Sequence, residues 1–517
     1  MANIFTKVSM KRPKKNVFDL SHEKKLTCNM GDLIPCYLEE VIPGDKFRVN
    51  SEIMMRFAPM IAPVMHRVNV YTHYFFVPNR IIYDEWEKFI TGGVDGLQIP
   101  NFPLLEIRDG YKTYFNKGTL ADYFGLPTVG QTGSFSAIEQ INALPFRAYQ
   151  KIYNEYYRDQ TLTPEVVITP SSTVIGTEIP DHLKLRKRSW EKDYFTSSLP
   201  WAQRGGDVLL PVDNSITYRD QGIINPPPNT SGHSSGTLSS NGNSTGNDLL
   251  LTYKETAGTD YLANIDNIES VDTAITINEL RRSNQLQVWL EKNARAGSRY
   301  VEQLLSHWGV VSSDARLQRP EFLGGGKQPV VISEVLSTFN NETVPGANMY
   351  GHGISVGSSN SFTKTFEEHG YIIGIMSVLP RTSYSQGVPK TFSRKDKFDF
   401  AWNEFAQIGE QEVVNKELYF DANNNAENQE TFGYQSRYSE YKFGKSTLHG
   451  DFRDDLSFWT MGRIFTARPN LNASFIESDP TQRIFAVTDP DVHKLYVQIY
   501  NSVRAARPLP IFGTPTL

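Results

Sequence analysis

At 517 residues the chain has room for about three domains of roughly 150 residues, or for one β domain enlarged by insertions. Its 52 Lys and Arg against 57 Asp and Glu give a formal charge of −5, which excludes a uniformly cationic nucleic-acid binder. Two cysteines exclude a disulfide-built scaffold, and no run of about 20 apolar residues is present to cross a bilayer.

Positive charge is concentrated at the start. Lys7, Lys11, Arg12, Lys14, Lys15, Lys24 and Lys25 face only Asp19 and Glu23, so residues 1–25 read as a basic arm able to meet nucleic acid alone. Phe5 and Phe18 lie among the cations, and charge on phosphates plus aromatic stacking on bases is how single-stranded DNA is held without sequence preference. Weak, salt-sensitive binding is expected, with a log–log salt slope of about −3 to −4 if five phosphates are neutralised. The opening MANIFTKVSMKRPKK lacks a signal-peptide core, and Cys28 and Cys36 fit no zinc spacing, so the expectation is a chain made and kept in a reducing cytoplasm.

From Cys36 to Met60 two extended pieces flank the turn Pro43-Gly44-Asp45, with Phe47, Val49, Ile53, Met55 and Phe57 alternating as a half-buried strand requires. His66 to Val77 reads as a largely buried strand ending at Pro78, and Arg80 to Ile90 as a short helix stopped by Gly92-Gly93. Near-helical spacing predicts a helix over Ser136 to Tyr157, kinked or divided by Pro145. The stretch Asn225 to Asn247 has almost nothing to bury and predicts an exposed, flexible excursion. A second helix is predicted from about Ile277 to Trp308, with Asn278 as a cap and weakness near Gly297. Tyr371 to Leu379 and Val492 to Tyr500 close the series as strands, and strands at both ends of a chain suit a β-sandwich.

Residues that look like chemistry fail on inspection. Leu323 to Lys327, LGGGK, lacks the earlier glycine and the Ser or Thr of a phosphate loop, and a turn beside an interface is the better reading. His66 and His73, seven apart on a predicted strand, point to opposite faces and cannot share a metal. The pairs Glu410 and Glu412, Asp454 and Asp455, and Asp489 and Asp491 lack the density of a calcium loop and read as solvated charge. The run Phe392 to Phe400, FSRKDKFDF, leaves two readings open: a DNA-stacking surface, or, preferred, phenylalanines anchoring a core beneath a solvated or subunit-facing charged surface.

The densest segment is His307 to Lys327, HWGVVSSDARLQRPEFLGGGK, in which Asp314, Arg316, Arg319 and Glu321 alternate with Val310, Val311, Leu317, Phe322 and Leu323. It contains no nucleophile–base pair and no metal spacing, and it reads as contact-making; the four charged residues are candidates for interface or loop-fixing ion pairs. With the runs Ser21 to Phe47, Arg381 to Tyr419 and Phe432 to Phe443, this segment resembles the major capsid protein of the microviruses, in particular the gokushovirus-like branch. The resemblance spans most of the chain. It departs at Ser312-Ser313, where such proteins often carry Pro.

What the resemblance implies is a mainly β fold: a single eight-stranded antiparallel jelly roll (β-sandwich) over residues 26–517 with long loop insertions containing several α-helices. A helix- and loop-rich insertion would interrupt it at about 190–300, with residues 225–247 projecting near a threefold axis and Pro226, His233 and Asn241 meeting the host surface. The implied partners are further copies of the chain in a T=1 shell, circular single-stranded DNA, other virion and scaffolding proteins and a host receptor. No catalytic residue, cofactor, metal or membrane is implied, and the shell would assemble in a bacterial cytoplasm. Two rival readings are a polysaccharide-directed enzyme or lectin on a β-sandwich, requiring a carboxylate pair or aromatic platform, and a soluble single-stranded DNA-binding protein.

Overall fold

The computed structural model describes residues 13–107, 109–132, 139–171, 178–206, 208, 237–240, 249–254, 260–265, 277–338 and 347–512. The chain divides into two compact units, Met1–Ala202 with Asn293–Leu517, and Gln203–Lys292.

The first unit is mainly β. Among its strands, ten build the sandwich: β1 (Asn16–Asp19), β2 (His22–Cys28), β3 (Ile34–Val41), β4 (Lys46–Phe57), β5 (Val68–Pro78), β6 (Glu321–Pro329), β7 (Val331–Leu336), β8 (Met349–Thr365), β9 (Gly370–Pro380) and β10 (Leu495–Arg507). They form two antiparallel sheets. In one, β10 carries β1 and β2 along one side and β4, β8 and β7 in order on the other; in the second the order is β6-β5-β9-β3.

Alternation explains how the sheets meet. Along β4, Phe47, Val49, Ile53, Met55 and Phe57 are at most 3% exposed, while Lys46, Arg48, Glu52, Met54 and Arg56 between them are exposed. The inward row packs on Tyr74 and Phe76 of β5 and on Ile372, Met376 and Val378 of β9 in one core. A polar thread runs through it: Tyr74 Oη donates to Ser51, Ser51 Oγ lies 2.5 Å from Asn501 Oδ1, and Asn501 Nδ2 lies 3.2 Å from His22 Nε2. Both faces of the four-stranded sheet are covered, because Phe75, Val77, Tyr371, Ile373 and Ile375 pack in a second core with Leu144, Phe146, Tyr149 and Ile152. That is why YIIGIMSVL is apolar without alternation. A third, smaller core gathers Tyr194, Phe195, Tyr384 and Phe475 around the hairpin Glu410–Val414 with Thr431–Ser436.

The turn Pro43-Gly44-Asp45 lies between β3 and β4, with Gly44 at φ 92°. Other expectations shift. The predicted helix over Ser136 to Tyr157 is three things: residues 136–138 lie outside the described residues, Glu139–Asn142 is a strand on Leu104–Ile107, and the helix starts only at Leu144. Pro145 sits in its first turn, where the missing N–H costs nothing, so it opens the helix instead of kinking it, and a π-helical turn follows at Tyr153–Tyr157. Arg80 to Ile90 contains a 3-10 turn, Asn79–Ile81, and a helix at Trp86–Thr91 ended by Gly92 at φ 76°. The later helix is two, Ile277–Ala296 and Tyr300–Trp308, broken at Gly297 (φ 99°), and Asn278 lies inside the first. Val492 precedes β10, which begins at Leu495 and runs past Tyr500 to Arg507.

The second unit contains a three-stranded antiparallel sheet of Thr237–Ser240, Leu249–Lys254 and Asp260–Ile265, with Leu249–Lys254 central, and most of the helix Ile277–Ala296. Thr237–Ser240 falls within the stretch read as an unstructured excursion. Its neighbours there, Pro226, His233 and Asn241 included, lie outside the described residues.

Candidate assembly and nucleic-acid surfaces

The charged residues of the 307–327 segment do not share one role. Asp314 and Arg319 approach within 3.2 Å, off the N–H direction, and the Asp314 carboxylate accepts from the Phe322 backbone N–H at 3.4 Å. Arg319 is buried with its guanidinium carbon 4.4 Å from the Tyr156 ring centroid, and Tyr156 Oη donates to the Pro320 carbonyl at 2.6 Å. Glu321 pairs with Lys364 of β8 at 2.5 Å. Arg80, held by Glu368 at 2.6 Å, donates to Gln318, whose φ of 55° turns the chain back. Arg316 is exposed.

LGGGK is neither a phosphate loop nor a turn. It is part of β6, and its glycines serve close approach: a Cβ on Gly325 would lie 2.5 Å from the Thr72 carbonyl oxygen of β5. Lys327 is occupied by Glu191 at 3.3 Å and lies over the Tyr71 ring.

Of the basic arm, Lys7, Lys11 and Arg12 lie outside the described residues. Lys14 is exposed, and Lys15 Nζ donates to the Gly44 carbonyl. Residues 16–19 and 22–25, read with the arm, are strands of the six-stranded sheet. Lys24 turns inward, donating to the Pro35 carbonyl at 2.9 Å and to that of Tyr123, and burial pulls its pKa down. Lys25 stays outside, 73% exposed and 3.5 Å from Glu23.

The run 392–400 overturns the core-anchor reading. Phe392, Phe398 and Phe400 are 79%, 52% and 52% exposed, beside exposed Trp402, Tyr441 and Phe443. Arg394 is the member that turns inward, its side chain 9% exposed: it pairs with Glu440 at 3.3 Å and stacks on Tyr441 at 4.4 Å, between two short 3-10 turns that carry the exposed rings. An aromatic patch of this kind on a folded surface marks an interaction site.

A cavity of about 1050 Å³ in the first unit is walled by Phe75, Tyr156, Tyr157, Trp190 and Phe322. Its carboxylates are already engaged: Asp159 by Lys192 at 2.6 Å, Glu191 by Lys327, and Glu302 by Arg299 at 3.3 Å. His73, at its wall, bonds Tyr157 Oη at 2.8 Å, and burial followed by the charge of Arg188 lowers its pKa to about 4, leaving a neutral ring. His66 lies outside β5 and contacts the Arg381 carbonyl at 2.5 Å. Glu410 pairs with Arg295, and Asp454 and Asp489 cap nearby backbone N–H groups. Among the described residues no three His, Cys, Asp or Glu side chains converge as a metal site. Both cysteines are free and buried; burial pushes the Cys36 thiol up to about 12, which makes it unreactive.

One group was missed in the sequence: Arg48, Arg56, Tyr496, Tyr500 and Arg504, which share the outer face of the six-stranded sheet although they come from strands more than 400 residues apart. Their signal was present as the polar half of each alternation, but only pairing shows that the two halves adjoin.

The geometry is that of a mainly β chain with clasped loops and an outward aromatic patch, suited to contact. The chain belongs to the phage capsid family described as Capsid protein (F protein), whose match covers residues 6–517. Within that class it is similar to Capsid protein VP1 of Bdellovibrio phage phiMH2K (35% identity, 99% of this chain and 97% of the relative) and of Chlamydia phage 1 (33%, 100% and 98%). Capsid protein VP1 of Spiroplasma virus 4 is 29% identical over 96% of this chain and 94% of its own. These are gokushovirus-like microviruses, the branch to which the four sequence segments point.

Proposed function

We propose that the chain is the major capsid subunit of a small T=1 icosahedral shell enclosing circular single-stranded DNA, assembled in the host cytoplasm with other virion and scaffolding proteins. The observation that carries the reading is strand order. Taken as β2-β10-β4-β8 and β3-β9-β5-β6, eight of the ten sandwich strands make two four-stranded arrays in which strands from the first and second halves of the chain alternate, an arrangement that supports an eight-stranded jelly roll. β1 and β7 extend the first array at its margins.

Function is then assembly. Aromatic loop surface such as Phe392, Phe398 and Phe400 is buried against neighbouring copies, and each contact is weak alone because closure makes the contacts act together. Arg316 is the charged residue of its segment left to face a neighbour, while the arm cations Lys7, Lys11, Arg12 and Lys14 face the genome. The stretch 225–247, with Pro226, His233 and Asn241, meets the host. Particles purified from lysed host cells are the test: cryo-electron microscopy should find this chain repeated with icosahedral symmetry around nuclease-protected single-stranded DNA. A particle lacking the chain, or a chain that purifies only as a monomeric hydrolase, overturns the reading. Deleting residues 226–247 should leave shells intact and reduce adsorption; unchanged adsorption removes the host role.

A further inference from the structure

We propose that the uncovered outer face of the six-stranded sheet is a binding platform for single-stranded nucleic acid, made of a cationic stripe and two tyrosines. It rests on the reading of the chain as a shell around single-stranded DNA and gives that shell a contact surface distinct from residues 1–15 of the basic arm.

The sheet register defines the surface. On the outer side Tyr496 of β10 lies opposite Arg56 of β4, Tyr500 opposite Glu52, and Arg504 opposite Arg48. Lys46 continues the β4 row, and Lys25 of β2 lies opposite Gln498. Apart from the half-buried Gln498, all of these are exposed, Tyr496 and Tyr500 at 42% and 41%. Five cations therefore share the face with three carboxylates; Lys25 and Glu23 pair with each other, which leaves Lys46, Arg48, Arg56 and Arg504 against Glu52 and against Asp19, which accepts from Ser21 N–H at 3.0 Å beside Arg504. Among the described residues Lys46, Arg48 and Arg56 have no ion-pair partner. A groove of about 760 Å³ lies over Lys25, Met54, Arg56 and Tyr496, with Asp122 and Tyr123 at its wall.

Two features select the ligand. Arg48 directly opposite Arg504 is a like-charge cross-strand pair that Asp19, opposite Arg504 on β1, offsets only once, so a further anion lying across it would relieve the pair. Tyr496 and Tyr500, four residues apart on one strand face, are separated by about 13 Å, so bases two nucleotides apart on one extended strand can stack on both while phosphates follow the arginines. A second copy presenting the same face would meet its own excess of positive charge, so complementarity favours a polyanion carrying aromatic bases.

The full-length chain is tested with a fluorescein-labelled oligothymidylate of about 15 nucleotides, read by anisotropy across a salt series. Tyr496→Ala with Tyr500→Ala should weaken binding by about fivefold or more per tyrosine. Arg48→Gln, Arg56→Gln and Arg504→Gln together should flatten the log–log salt slope by about 2, at roughly 0.7 per lost phosphate contact, and Lys at the same positions should restore it. The positions are exposed, and a wild-type thermal midpoint certifies each variant as folded. Wild-type affinity and slope in both sets, with binding lost only on removal of residues 1–15, overturns the platform. So does altered sedimentation at unchanged DNA affinity, which makes the face a subunit contact. If wild-type particles protect DNA while the variants bind the oligomer normally, only the platform falls; particles free of nucleic acid remove the genome-enclosing reading as well.

Discussion

Arg319→Ala decides whether the charged residues of the 307–327 segment hold a loop or meet a neighbour. In the folded chain the Arg319 side chain is 10% exposed, stacks on Tyr156 and faces an Asp314 that is 28% exposed. A largely desolvated cation–π contact contributes about 1–2 kcal/mol, and an ion pair with one partly solvated member about 1 kcal/mol, so truncation should cost about 2–3 kcal/mol. Arg319→Lys keeps the charge but loses the flat stacking face and should cost about half as much. The assay is urea unfolding of the unassembled chain, supported by hydrogen exchange over residues 314–323, where protection should fall first. The Arg319→Ala, Asp314→Ala cycle should return a coupling of about 1 kcal/mol. If Arg319→Ala changes unfolding by less than about 0.5 kcal/mol yet stops shells from forming, the intrachain argument is wrong and the pair belongs to an interface.

Gly325→Ala should cost about 1–3 kcal/mol and lower the thermal midpoint, because its Cβ would press on the Thr72 carbonyl and part β6 from β5. Phe392→Ser with Phe400→Ser should leave the unassembled chain within about 0.5 kcal/mol of wild type while abolishing assembly by sedimentation; destabilisation instead would return these rings to a core role. Burial above all raises the Asp32 carboxyl to about 7, against the lesser opposing effect of Lys187. A folded pKa above the unfolded value of about 3.9 stabilises fully below that value and is lost as pH rises through 7, so stability should fall between about pH 4 and 7, and Asp32→Asn should flatten that dependence in thermal unfolding.

Where local chemistry decides structure, the sequence was readable. Pro43-Gly44-Asp45 needs only a left-handed glycine to turn the chain, and the β4 alternation needs only a wet side and a dry side. Where a distant partner decides, it was not. The three glycines of β6 look like a turn until the Thr72 carbonyl beside them is known. Leu144 to Ile152 keeps its helix because it packs on the four-stranded sheet, whereas Glu139–Asn142 is drawn into a ladder with Leu104–Ile107 despite the same helical spacing. Phe392, Phe398 and Phe400 carry no local sign of facing outward; the partner that fixes Arg394 among them, Glu440, lies 46 residues further along the chain.

The formal charge of −5 is likewise a poor guide to what one face attracts, because it says nothing of where the charges lie. Glu417, with no side-chain exposure, lies 3.4 Å from Lys445 and 3.9 Å from Lys390, and buried Asp45 lies 3.3 Å from Arg507. Such groups fix loops and contribute little field beyond their partners. The field over the outer sheet face is set instead by register: β4 and β10 place Phe47, Val49, Val503 and Ile499 inward only if Arg48, Arg56, Arg504 and Tyr500 go outward. A slip of one residue would exchange the rows, burying guanidinium groups and exposing the core. The hydrophobic effect that closes the sandwich thus also holds the cationic face in place, and no substitution that preserves the core can move that face elsewhere.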